Sequence, residues 1–137
     1  MWPFKRTDTN PDQAIAVLSP FVVMTLRGFE LNAGEDLSAR RLTECYVYGA
    51  VRYLASYDEM EAGSTRRLFE AMLAKHFSAN ETEIEACQAY LKGIPPGGDE
   101  QLFMIEGASA LRRLLVNDDQ SSGENLTMLL GKVLSRQ

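Results

Sequence analysis

The sequence predicts an all-α fold, a compact irregular bundle of five to six helices. Apolar residues recur at the three- and four-residue spacing of amphipathic helices along most of the chain. No stretch alternates apolar and polar residues as a half-buried strand does. Residues that start or end helices, such as Asn10-Pro11 and Ile94-Pro95-Pro96-Gly97-Gly98, divide the chain into segments of helical length.

The length and composition are those of one globular domain. The chain has 137 residues, of which 45% are hydrophobic and 24% charged, and a chain of this size can bury a core without disulfides or metal. We expect residues 1–10 to be a flexible tail and residues 11–137 to be a single helical domain. The net charge of -5 opposes binding to nucleic acid and to anionic membranes.

The first helix is predicted from the uncharged run Gln13 to Leu26. Because the run is apolar on every side, it predicts a central helix of the bundle. Pro20 removes a backbone donor, so residues 11–29 are expected to form one kinked helix or two short ones. The run is shorter than the ~20 residues that span a bilayer. The flanking Asp8 and Asp12 disfavour a signal peptide, and we expect a cytoplasmic protein.

Five further helices follow from apolar periodicity and capping residues. Ser78 and Glu81 match a capping box, in which each side chain bonds the backbone amide of the other, and Asp99 is expected to cap the fifth helix. The expected bounds are Ser38 to Tyr57, Ser64 to Phe77, the capping box to Gly93, Asp99 to Val116, and Glu124 to Ser135.

Two of these helices carry features that predict how they pack. Gly49 lies at the edge of the apolar face of the second helix, where a glycine permits a close helix crossing. Ile105 and Val116 lie off the main apolar face of the fifth helix. We therefore expect the fifth helix to be covered on more than one side.

Cysteine and histidine give little support for a chemical site. Cys45 and Cys87 are expected to be buried reduced thiols, with a single disulfide as the alternative. His76 is the one histidine, and Met72 and Asn80 occupy the positions four residues away where a second helical metal ligand would stand. No metal or cofactor is predicted. We expect His76 to be a core residue bonded to a carbonyl or carboxylate, with a titrating pocket histidine as the alternative.

The candidate recognition site is the outer face of the second helix. Arg41, Glu44, Tyr48 and Arg52 follow one another there at helical spacing. Tyrosine and arginine are enriched in interface hot spots because each combines large contact area with polar reach. The alternative is a solvated face without a partner.

These observations favour a non-enzymatic cytoplasmic protein that binds another protein as an adaptor, regulator or inhibitor. The partner is unknown, and a homodimer is one form of this hypothesis. Surplus apolar surface on the first and fifth helices supports it. One alternative is a small-molecule or enzymatic site around His76. A further alternative is membrane attachment through the N-terminal tail with Trp2 and Phe4.

Overall fold

A computed structural model describes residues 11–32, 36–57, 60 and 63–135 of the chain. These residues form six α-helices and no strand, which confirms the predicted all-α bundle. The predicted tail, residues 1–10, lies outside the described residues. The helices are α1 (Pro11–Asn32), α2 (Leu37–Tyr57), α3 (Ser64–His76), α4 (Glu81–Lys92), α5 (Asp99–Asn117) and α6 (Ser122–Leu134).

Helix α1 is one continuous helix through Pro20, not two short ones. It packs against α2, α3 and α6 through Ala14, Leu18, Phe21 and Val22. The opposite side, with Pro20, is exposed. The run is therefore not buried on every side as expected, because an uncharged run gives no periodicity from which its exposed side can be read. Within the described residues, no helix combines the length and hydropathy needed to cross a membrane.

Helix α2 occupies the centre of the bundle. It contacts each of the other five helices, and its buried residues cover most of its circumference. The ring of Tyr46 stacks on Phe21 of α1 with centroids 6.2 Å apart, and its hydroxyl accepts a hydrogen bond from Asn125 of α6 at 2.8 Å. Burial raises the pKa of Tyr46 to about 12, so this phenol stays neutral and holds three helices together.

Helices α2 and α5 touch backbone to backbone, as predicted from Gly49. A methyl group added at Gly49 would overlap the carbonyl oxygen of Met104, and one added at Gly107 would overlap that of Tyr46. Each helix thus presents one glycine to a peptide group of the other. This reciprocal contact brings the two axes closer than any side chain would allow, and it fixes α5 against the central helix.

The start of α4 differs from the prediction. The capping box is formed by Asn80 and Glu83: Asn80 Oδ1 accepts from the Glu83 amide at 2.8 Å, and Glu83 Oε1 accepts from the Asn80 amide at 3.0 Å. Ser78 has a positive φ of 52° and belongs to the turn after α3. Both pairs have the spacing of a capping box, and the turn that ends α3 decides between them. Similarly, Gly98 and not Asp99 precedes α5.

Candidate interaction surface

The structure divides the predicted recognition residues between the interior and the surface. Glu44 is only 2% exposed, so the prediction that it lies on an outer face is wrong. Helices α3 and α4 cover this side of α2. Arg41 and Tyr48 are partly buried, and Arg52 alone of the four is exposed.

Glu44 is the centre of a buried polar cluster. Its Oε1 accepts from Arg41 Nη1 at 2.9 Å, and its Oε2 accepts from Arg40 Nε at 3.3 Å. The thiol of Cys87 donates to the same Oε1 at 3.4 Å. A buried carboxylate is tolerated when it is paired and hydrogen-bonded, and these contacts explain why the sequence can place Glu44 inside.

The cluster extends to α4 and α5 through Tyr90. The guanidinium of Arg41 lies 5.2 Å from the centroid of the Tyr90 ring, and the Tyr90 hydroxyl donates to Glu100 Oε2 at 3.0 Å. A cleft of about 400 Å³ opens beside these groups. Because Arg41, Tyr90 and Glu100 all satisfy one another, we interpret the cluster as a link between three helices.

Both cysteines are buried and unpaired, which confirms the prediction of reduced thiols. Burial raises the pKa of Cys45 and of Cys87 to about 12, with nearby carboxylates adding to the shift. The thiolate is the reactive form. Both thiols therefore stay in the less reactive protonated form near neutral pH.

Tyr48 and Arg52 lie at the edge of a surface groove. The ring of Tyr48 packs edge-on against Phe69 with centroids 5.1 Å apart, and the guanidinium of Arg52 lies 5.8 Å from the Tyr48 centroid. Aromatic packing on one side and an arginine on the other hold Tyr48 in one orientation. These two residues therefore lie at the cleft edge in a fixed arrangement.

The groove follows the line where α2 meets α5, and we call it the α2/α5 groove. It consists of two adjoining clefts of about 390 and 230 Å³ that share Arg52 and Met104. Among the described residues, the larger cleft is lined by two arginines and no carboxylate. Further lining residues of the two clefts include Tyr53, Ile105, Ala108, Ser109, Arg112, Ile94, Pro95 and Pro96.

An exposed apolar stripe runs along α5 beside this groove. Leu102, Ile105 and Val116 are 42%, 54% and 59% exposed. At about 100° per residue they fall within a sector of about 60°, on the side opposite the buried residues Phe103 and Gly107. With Ser109 and Arg112, which lie between them, these residues form what we call the α5 stripe.

The α5 stripe corrects the expectation that this helix is covered on more than one side. The described residues of the chain leave Ile105 and Val116 to solvent. Leu102 and Ser109 were not singled out from the sequence. The signal that could have found them is the seven-residue spacing of positions 102, 109 and 116, with 105 and 112 between them.

His76 takes part in a contact between α1 and α3. Its Nε2 lies 3.1 Å from Ser19 Oγ, and Lys75 Nζ donates to the same oxygen at 3.4 Å. Partial burial, and then the charge of Lys75, lower the pKa of His76. The expected carbonyl or carboxylate partner is thus replaced by a serine hydroxyl.

The serine–histidine contact resembles two members of a nucleophilic triad without the third. Among the described residues no carboxylate bonds the ring to orient it. The five clefts of about 230 to 640 Å³ described for this surface are not lined by His76. Nor do these residues bring together three histidine, cysteine, aspartate or glutamate side chains that could hold a metal ion. We interpret the contact as a link between α1 and α3.

Comparisons with known proteins identify no relative of this chain. The α5 stripe and the α2/α5 groove are the main surface features described above. They lie side by side on α2 and α5, the two most closely packed helices. No protein-family model, no curated protein and no solved structure matches the chain.

Proposed function

We propose that this chain is a non-enzymatic protein of the cytoplasm that acts by binding another protein chain through the outer side of α5. The binding surface consists of the α5 stripe and the adjoining α2/α5 groove. An adaptor, a regulator and an inhibitor all act in this way. The observation that supports the proposal is the exposure of Leu102, Ile105 and Val116 along one line of a helix whose opposite face is buried.

The alignment of these residues matters more than their number. Single exposed apolar residues are normal on protein surfaces and need no explanation. A line of them on one helix is different, because it offers a partner helix or segment a continuous apolar contact. The stripe extends over about 21 Å from Leu102 to Val116, since a helix rises 1.5 Å per residue.

The support beneath the stripe is rigid. Gly49 and Gly107 hold α5 against the peptide groups of the central helix, and Phe103 and Leu111 of α5 are fully buried. A surface that does not have to be ordered on binding loses less conformational entropy when the complex forms. The stripe and the groove are therefore preformed for a partner.

The groove adds polar recognition beside the apolar stripe. Arg52 and Arg112 line it, and none of the lining residues that the structure describes is a carboxylate, although the chain as a whole carries a net charge of -5. Tyr48, Tyr53 and the two arginines are residue types that dominate binding energy in interfaces. Two buried unpaired thiols fit a reducing compartment, which supports a cytoplasmic location.

The test is affinity capture with a variant of the stripe and a matched variant outside it. Ile105→Asp places a charge within the stripe, one turn of the helix before Ser109. Met128→Asp makes the same change at an apolar residue of α6 that is 50% exposed. Because both side chains are exposed, both variants should fold, which circular dichroism can check.

We expect the wild type and Met128→Asp to capture the same protein from the native organism, and Ile105→Asp to lose it. The captured protein is then purified and titrated against all three forms by calorimetry. The expected result is an affinity reduced at least about tenfold for Ile105→Asp and changed less than about threefold for Met128→Asp. Equal affinities of the two variants would overturn the proposal.

A further inference from the structure

We propose that the partner at the α5 stripe is a second copy of this chain, which pairs with the first through two antiparallel α5 helices about a twofold axis. This inference rests on the proposed function, because it names the occupant of the same surface. A twofold contact is self-complementary, so each residue pair must occur twice. The spacing and the charges of α5 meet that condition.

The stripe has the spacing of a helix–helix seam. Positions 102, 105, 109, 112 and 116 alternate steps of three and four residues, as the seam positions of a two-helix coiled coil do. Ser109 stands at the centre, with Leu102 and Val116 seven residues to either side. A small residue at this position lets two helices approach closely, and Ile105 and Val116 can then meet at both ends of the paired segment.

One antiparallel register pairs Ile105 with Val116 and Glu106 with Arg113. Leu102 lies outside the paired segment, because the position that would face it, 119, is beyond the end of α5. When Ile105 faces Val116 of the second copy, Ser109 faces Arg112 of the second copy. The methylene stem of an arginine packs well against apolar neighbours while its charged head reaches water. In the same register, Glu106 lies on the flank of the seam beside Arg113 of the second copy.

The charge pattern favours this antiparallel pairing over a parallel one. In an antiparallel pair each flank meets the same flank of the other helix, so Glu106 meets Arg113 twice, once on each side of the axis. In a parallel pair, the flank with Glu106 and Arg113 would instead meet the other flank of the second helix. That other flank carries no charge, because it is formed by Gln101, Ala108 and Leu115.

Within one chain, Arg113 can be released for this contact at little cost. Its Nε lies 3.6 Å from Asp119 Oδ2, and the two side chains are 38% and 36% exposed. Exposed ion pairs of this kind contribute little to stability. The seam is formed by one helix from each copy, which is at the small end of stable interfaces, so we expect a dissociation constant in the micromolar range.

The experiment is a charge swap read out by sedimentation equilibrium. Wild type, Glu106→Arg, Arg113→Glu and the double variant are measured from about 1 to about 300 µM, a range that brackets micromolar self-association. Glu85→Arg, which makes the same change at an exposed residue of α4, is the control for net charge. Circular dichroism melting checks that each variant is folded.

We expect the wild type and Glu85→Arg to dimerise alike. Each single swap should raise the dissociation constant at least about tenfold, because like charges then face one another, and the double variant should return to within about threefold of the wild type. A wild type that stays monomeric over the whole range would overturn the inference. So would a double variant that dimerises no better than the single ones.

The outcome also separates this inference from the proposed function. If the wild type is monomeric while Ile105→Asp still loses a captured heterologous protein, the stripe binds a different chain and only the second-copy inference fails. If Ile105→Asp neither dissociates a dimer nor loses a partner, both fail.

Discussion

Helices α4 and α5 are attached to the central helix α2 in opposite ways. Helix α5 is held by backbone contact at Gly49 and Gly107, and five of its residues are buried. Helix α4 has one buried residue, Cys87, and is tied by polar contacts such as that between Cys87 and Glu44. Backbone contact tolerates no added atom, whereas polar contacts can exchange with water. The surface proposed for binding therefore lies on the helix that is fixed most firmly.

The largest effect is expected from Gly107→Ala, which attacks the crossing directly. The added methyl group would overlap the carbonyl oxygen of Tyr46, so the helices must separate. We expect the free energy of unfolding, measured by urea denaturation, to fall by about 3 kcal/mol or more. Gly131→Ala in α6 is the matched control, because among the described residues no atom outside the neighbouring backbone of α6 lies within 4 Å of the added methyl group. It should be neutral or stabilising by up to about 1 kcal/mol. Similar losses in both variants would contradict the backbone contact.

A smaller loss is expected when the polar attachment of α4 is removed. Glu44→Ala leaves the Cys87 thiol without its acceptor and removes the carboxylate shared by Arg40 and Arg41. The two arginines are partly exposed, so their side chains can reorient toward solvent. We therefore expect the free energy of unfolding to fall by about 2 kcal/mol. Glu70→Ala is the control, since Glu70 pairs with Arg66 in the same spacing on the surface and receives only one long hydrogen bond from α4, from Gln88 at 3.5 Å. It should cost less than about 0.5 kcal/mol. If both variants unfold at the same urea concentration, the buried cluster contributes nothing.

Removal of the helix cap of α4 should cost about half as much. Asn80→Ala loses the acceptor for the Glu83 amide, and such caps contribute about 1 kcal/mol. Ser78→Ala should have little effect, because Ser78 lies in the preceding turn. Thermal melting of the two variants side by side tests this. If Ser78→Ala lowers the melting temperature more than Asn80→Ala does, Ser78 is the capping residue, as the sequence predicts.

The smallest effect is expected from the pH dependence of His76. Its pKa is lowered from 6.5 in the folded chain, so between that lowered value and 6.5 the unfolded chain binds more protons. Stability should therefore be full above pH 6.5 and decline as the pH falls below it. The slope should be shallow because the ring is partly exposed. His76→Gln should remove this dependence of the free energy of unfolding on pH. Urea denaturation of the variant and of the wild type at several pH values measures the difference between them. If the difference in stability between wild type and His76→Gln does not change with pH, or changes in the opposite direction, the lowered pKa is contradicted.

Local features of the sequence predict the fold better than they predict the surface. The spacing of apolar residues gives all six helices, and Gly49 alone indicates the close crossing. Periodicity cannot orient α1, because an uncharged run has no polar face. Periodicity also places Glu44 on the outer face of α2. The burial of Glu44 depends on Arg40, Arg41 and the Cys87 thiol, and that thiol is 43 residues away in the sequence.

The same limit applies to the candidate binding surface. Of the residues predicted for recognition, Tyr48 and Arg52 do line the α2/α5 groove. The spacing of residues in the sequence places Ile105 and Val116 off the main apolar face of α5. Whether another helix covers them depends on where α6 and α1 lie. That arrangement follows from the whole core and not from α5, so the stripe becomes visible only in the structure.

We propose that this chain binds protein through the outer side of α5, and this proposal can be tested in cells. The most direct measurement places a photo-crosslinking amino acid at position 105, and separately at position 128 of α6, in the cells of origin. We predict a crosslinked product from position 105 and none from position 128. If the partner is a second copy, mass spectrometry should find position 105 joined to α5 of that copy. No product from position 105, or equal products from both positions, would contradict the claim.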